Sequence, residues 1–186
     1  MFYEVIRAIF RLYVDLAYGP SISGAENLPN KGPLIICANH VHWLDPVVIA
    51  CYTPRQVHFM AKKELFDIPV FGYALKALGA FPVNRGKPDR AALRWALKVL
   101  DNGEVLGVFP EGTRSKTGEL MRFFNGAALL ACRSGAPIVP AAIRGTYSRG
   151  KVCLKIGKPF VLRDFSTNEL SEATSIIKGR IEELAS

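Results

Sequence analysis

The first eighteen residues, MFYEVIRAIFRLYVDLAY, are apolar or aromatic except at Glu4, Arg7, Arg11 and Asp15, which recur at steps of three, four and four. That spacing gathers the charges on one narrow stripe of a helix and leaves the rest of its surface apolar. No apolar run in it exceeds three residues, whereas a membrane-spanning helix needs about 20 mostly apolar ones. The pattern predicts an amphipathic helix over residues 1–20 that lies in a membrane interface without crossing it, with Phe2, Tyr3, Phe10, Tyr13 and Tyr18 as aromatic anchors. The alternative is packing on the chain's own domain or on a second copy, since two acids and two bases do not make the Lys-rich face of common lipid binders.

From residue 21 onward short apolar runs alternate with helical patterns. PLIICA (33–38), QVHFMA (56–61), AFPV (80–83), EVLGVF (104–109), PIVPAAI (137–143) and KVCLKI (151–156) read as strands. Between them VVIACY after Pro46, PVFGYALKAL (69–78), KPDRAALRWALKVLDNG (87–103) and FFNGAALLACRSG (123–135) read as helices. Pro88 suits a first helical turn, and Gly103 and Gly135 suit helix ends. The last helix is predicted from a capping box of Ser166 with Glu169 and from Leu170, Ala173, Ile177, Ile181 and Leu184 on one face. Strands alternating with helices imply an α/β fold: a single domain over 21–186 with a mixed β-sheet flanked by helices on both faces.

A chain of 186 residues fits one core of this kind. Its 49% hydrophobic and 22% charged residues exclude a disordered segment. With 24 Lys and Arg against 16 Asp and Glu, the net charge of +8 favours an anionic partner: nucleic acid, anionic lipid or a phosphorylated substrate. Cys37, Cys51, Cys132 and Cys153 stand apart among apolar neighbours with no C-x-x-C pair, so reduced, buried thiols are expected. The N-terminus shows no signal-peptide pattern, which places the expected location on the cytoplasmic side.

In α/β sheets ligands gather where loops leave the carboxyl ends of strands, so the polar segments after strands matter most. NHVHWLDP (39–46) holds two of the three histidines. A zinc site of the H-x-H-x-D-H kind requires Asp at 44 and His at 45, where this chain has Leu44 and Asp45, and no metal is expected. A second reading makes the stretch a polar corner in which Asp45 caps the next helix, with Pro46 at its first position. A third makes it an acid/base pair, His40 taking a proton while the Asp45 carboxylate holds its other ring nitrogen. No G-x-S-x-G elbow is present, so on that reading the nucleophile comes from the substrate, as in transfer to an alcohol. GVFPEGTRSKTG (107–118) has the G-x-x-x-x-G spacing of a P-loop at Gly107 and Gly112, but Thr113 and Arg114 stand where Lys and Ser/Thr are required. What remains is a carboxylate at Glu111, a glycine that lets backbone approach a ligand, and the cations Arg114 and Lys116. The aromatic residues are not interleaved with basic ones, and no helix-turn-helix or RNP pattern occurs, so no nucleic acid is expected.

NHVHWLD (39–45), GAFPVNR (79–85), FPEGTRS (109–115) and IVPAAI (138–143), in that order, resemble the motif blocks of the glycerophospholipid acyltransferase family, specifically the 1-acylglycerol-3-phosphate acyltransferases. The resemblance covers the chain from about residue 24 onward. It implies a glycerol-3-phosphate acyltransferase-like fold and transfer of an acyl group to the free hydroxyl of lysophosphatidic acid at an anionic membrane surface. The donor would be acyl-CoA or acyl carrier protein, with no cofactor besides that co-substrate. His40 would be the general base and Asp45 its orienting partner, without an acyl-enzyme. Arg85 and Arg114 would bind the phosphate, with Lys62 a further contact, and Glu111, Gly112 and Thr113 would shape the acceptor pocket. His42 stands where relatives often have Ser, and the chain lacks the longer hydrophobic N-terminal region of many of them, leaving the amphipathic helix and a basic face to hold it peripherally.

Overall fold

The computed structural model describes residues 2–84, 89–147, 151–162, 165 and 168–186. In chain order the elements are α1 (Phe2–Tyr18), β1 (Ser21–Ser23), β2 (Leu34–Ala38), α2 (Asp45–Tyr52), β3 (Val57–Lys62), α3 (Phe71–Ala77), β4 (Phe81–Val83), α4 (Arg90–Asp101), β5 (Val105–Val108), α5 (Gly126–Ser134), β6 (Ile138–Thr146), β7 (Lys151–Ile156) and α6 (Leu170–Ala185), with 3-10 turns at Ala25–Asn27 and Lys63–Phe66. Every strand and helix predicted from the pattern is present. The addition is β1, a three-residue edge strand too short to carry a periodic signal, which pairs parallel with β7.

One seven-stranded sheet runs in the order β1-β7-β6-β2-β5-β3-β4. Neighbours are parallel except β6 and β7, which are antiparallel, so the sheet is mixed. All five residues of β2 are buried because helices cover both faces at its centre. Side chains on a strand alternate between faces, and β2 divides accordingly. Leu34, Ile36 and Ala38 join Val48, Ile49 and Val14 of α2 and α1, whereas Ile35 and Cys37 join Ala96, Ala128 and Ile177 of α4, α5 and α6.

Local chemistry accounts for the helix ends. Asp89 accepts from the backbone N–H groups of Ala91 and Ala92 at 3.0 Å each, which starts α4 at Arg90. Pro88, assigned to that first turn, lies outside the described residues. Gly135, at φ 65°, ends α5 in the left-handed conformation. α6 begins at Leu170 with Glu169 at its N-cap, and Ser166 of the expected capping box is likewise outside the described residues.

α1 is oriented differently from the simplest amphipathic expectation. Its charged stripe runs along α2: Arg7 Nη1 donates to the Thr53 carbonyl at 2.6 Å, the Tyr52 hydroxyl donates to Asp15, and the Arg11 guanidinium lies 5.0 Å from the Tyr52 ring centroid. Only Val14 is fully buried. Val5, Ile9, Leu12 and Leu16, at helical spacing, face outward, and Leu16 is 79% exposed. Among the described residues, no helix is long and apolar enough to cross a membrane.

All four cysteines are free, but only Cys37 and Cys51 are buried; Cys132 and Cys153 are half-buried, which corrects the expectation of four buried thiols. Burial pushes the Cys37 thiol up to about 12 and the Cys51 thiol to about 11.

Three adjacent parallel strands, β6, β2 and β5, end at the same edge of the sheet. The segments that follow them, beginning at Tyr147, Asn39 and Phe109, therefore converge there although they are far apart in sequence.

Candidate active site

The corner after β2 is organised by one carboxylate. Asp45 is fully buried at the first turn of α2, and its Oδ2 faces back into the corner rather than into the helix. Oδ2 accepts from His40 Nδ1 at 2.8 Å, Val41 N at 2.6 Å and His42 N at 2.7 Å, while Oδ1 accepts from the Tyr147 hydroxyl at 2.8 Å. A carboxylate can only accept, so His40 carries its proton on Nδ1 and leaves Nε2 as the basic nitrogen. The reading of Asp45 as cap of the following helix is thus overturned: the N-cap is Leu44, with no side-chain cap, and the Asp45 oxygens are taken by the loop before it.

Further contacts fix the imidazole. Its ring stacks on Phe109 with centroids 4.1 Å apart, and Phe109 stacks in turn on Phe59. A Cβ at Gly107 would come within 2.1 Å of the Phe59 ring, so glycine is required for that stack. Asn39 stands in for a strand residue: its Nδ2 donates to the Ile143 carbonyl at 2.9 Å and its Oδ1 accepts from Ile143 N at 2.7 Å, tying the corner to β6.

The segment after β5 is hitched to the same corner at two points. Glu111 Oε1 accepts from His40 N at 3.0 Å, and Ser115 N donates to the His40 carbonyl at 2.7 Å. Glu111 and Ser115 are buried, whereas Gly112, Thr113 and Arg114 arch outward between them. Gly112 has φ 67°, a conformation that favours glycine. Glu111 Oε2 has no partner among the described residues, and burial raises the carboxyl above its ordinary range. Glu111 thus braces the His40 backbone from a buried position.

His42 is half-buried, its ring stacked on Tyr147 with centroids 4.1 Å apart and its Nδ1 accepting from Leu44 N at 3.4 Å. Burial holds its pKa below the ordinary value, against the pull of Asp45, with Arg114 and His40 adding to the depression. Lys62 lies at the carboxyl end of β3, exposed and 3.3 Å from Glu64. Arg85 lies outside the described residues. No cluster of His, Cys, Asp and Glu among the described residues could hold a metal ion.

A cavity of about 340 Å³ lies between the sheet, α4 and α5, walled by Met60, Val83, Leu93, Ala96, Val108 and Leu130. Phe109, the ring against His40, also lines it. The arrangement can therefore take a proton from a hydroxyl at His40 beside an apolar chamber, with a cation at Arg114 on the adjoining loop. His40, Asp45 and the loop stand out as candidates in the sequence, whereas the contacts through which Tyr147, Asn39 and Phe109 hold them in place do not. Tyr147 lay in one of the polar segments after a strand, yet no spacing ties it to Asp45, 102 residues away.

Residues 20–144 match the family model described as Acyltransferase. The chain is 35% identical over 193 aligned residues to the 1-acyl-sn-glycerol-3-phosphate acyltransferase of Bacillus subtilis, an alignment covering 98% of this chain and 96% of that one. It is 31% identical over 192 residues to the enzyme of the same name from Streptococcus pneumoniae, covering 98% and 71%. Among solved structures, the 1-acyl-sn-glycerophosphate acyltransferase PlsC from Thermotoga maritima matches with a TM-score of 0.75 and 29% identity, over 98% of this chain and 81% of that one.

Proposed function

The chain belongs to the acyltransferase family, and on that premise we propose that it transfers a fatty acyl group from an acyl thioester to the free sn-2 hydroxyl of lysophosphatidic acid, forming phosphatidic acid. The observation that carries the reading is the 2.8 Å contact between His40 Nδ1 and buried Asp45, which leaves Nε2 to work as a base. Nε2 accepts the hydroxyl proton as the oxygen attacks the thioester carbonyl. The tetrahedral adduct collapses by breaking the carbon–sulfur bond, and the imidazolium returns the proton to the departing thiolate. Asp45 stabilises the imidazolium and holds the tautomer, the part an aspartate plays beside histidine in hydrolase triads.

The phosphate of the acceptor falls to Arg114, an exposed guanidinium with no ion-pair partner among the described residues, aided by Lys62 and Arg85. The acyl chain has the apolar cavity beside Phe109. The outward face of α1, with Val5, Ile9, Leu12 and Leu16 in water, supports seating of the enzyme on an anionic membrane surface, where both lipid substrate and product reside.

The test incubates purified protein with lysophosphatidic acid and either acyl-CoA or acyl carrier protein, in the presence of vesicles. Phosphatidic acid is expected from wild type and to fall by at least 10²-fold in His40→Ala with folding unchanged by circular dichroism. A folded His40→Ala protein with wild-type turnover would overturn the mechanism. Turnover only with a non-phosphorylated alcohol would replace the acceptor.

A further inference from the structure

Asp45 divides its acceptor capacity unevenly. Oδ2 takes three N–H donors from its own corner, whereas Oδ1 has a single partner among the described residues, the hydroxyl of Tyr147. With Asp45 fully buried, losing that donor would leave a charged oxygen unpaired away from water, and the carboxylate would relax by turning about its terminal torsion. Such a turn moves Oδ2 relative to His40 Nδ1. The Tyr147 ring is itself clamped: His42 stacks on it at 4.1 Å and 21°, and Tyr18, the last residue of α1, meets it edge-on at 5.3 Å and 76°. Burial raises the Tyr147 phenol above its ordinary range, so it serves as a neutral donor at every working pH.

We propose that Tyr147 is a positioning residue for this reaction, holding the Asp45 carboxylate in register with His40, and that His42 and Tyr18 act as the two jaws that hold Tyr147. The inference rests on the base role given to His40 above. It assigns work to His42, whose ring supplies the aromatic face stacked on Tyr147. It also ties the catalytic edge to the end of α1, the helix whose other face is apolar and outward.

Positioning predicts a loss in turnover and not in acceptor binding, since Tyr147 reaches the carboxylate and not the acceptor. In Tyr147→Phe, which keeps the ring and removes the hydroxyl, kcat is expected to fall about ten-fold or more, the effect of one hydrogen bond to a charged group. KM for lysophosphatidic acid should stay near wild type, and the thermal midpoint should fall by only several degrees, the cost of one unpaired buried acceptor in a protein that still folds. His42→Ser and Tyr18→Ala keep the hydroxyl but open the clamp, and each should lower kcat less than Tyr147→Phe, again with KM unchanged. They carry the test if Tyr147→Phe does not fold. Wild-type kcat in folded Tyr147→Phe would overturn the proposal, as would a rise in KM alone, which would make Tyr147 a substrate contact. His40→Ala run alongside separates the failures: active His40→Ala sinks the base mechanism, while inactive His40→Ala with fully active Tyr147→Phe sinks only the positioning role.

Discussion

The segments after β2 and β5 leave neighbouring parallel strands at one edge of the sheet, yet they are finished in opposite ways. In residues 39–45 Asn39, His40 and Asp45 are buried, and both Asp45 oxygens and both Asn39 amide atoms are hydrogen-bonded. In residues 110–116 two buried anchors, Glu111 and Ser115, grip the backbone of His40, and the residues between them stand in solvent. The difference follows the work proposed for each. Proton transfer needs one ring nitrogen held at one angle, which a packed and hydrogen-bonded corner supplies. Phosphate capture needs an unspent cation that can reach, which an arch with free guanidinium supplies.

The contrast breaks most visibly at Asp45. Asp45→Asn keeps the shape but removes the negative charge beside the imidazolium, and kcat is expected to drop by between about 10² and 10⁴-fold in a folded protein. Steady-state turnover within ten-fold of wild type would show that the corner does not orient a base.

Next in size is Arg114→Ala. Losing one charge-assisted contact should raise KM for lysophosphatidic acid by about 10 to 100-fold, leaving kcat and the use of a monoacylglycerol acceptor unchanged. An equal loss for both acceptors would mean that the arch shapes the site and does not read phosphate.

The smallest expected effect sharpens the comparison at its hinge. Burial raises the Glu111 carboxyl, so the fold disfavours its charged form. Relative to an uncharged side chain, the wild-type residue is then most favourable below the unfolded pKa of about 4.3 and loses that advantage as pH rises through the folded value. Glu111→Gln keeps an oxygen acceptor for His40 N and does not titrate. Its urea midpoint, compared with wild type, should therefore improve between pH 4 and pH 7. A constant difference across that range would show that Glu111 keeps an ordinary pKa.

Much of this molecule was determined by local sequence. β2 reads as a short uninterrupted apolar run and α6 as a helical periodicity, and both signals survive any reasonable tertiary arrangement because they depend only on near neighbours. The four motif blocks likewise name His40, Asp45 and Arg114, since residue type and short spacing are legible one segment at a time. What the tertiary structure decided are matters of which segment meets which. The stripe on α1 was plain, but its charges turned toward α2 and its apolar side toward solvent because the Thr53 carbonyl and the Tyr52 hydroxyl could satisfy Arg7 and Asp15 there. Asp45 could have capped its own helix, and instead became the acceptor for a loop and for a tyrosine brought from the end of β6. That pairing exists because β6, β2 and β5 lie side by side and parallel, and strand order is set by burying the whole sheet at once.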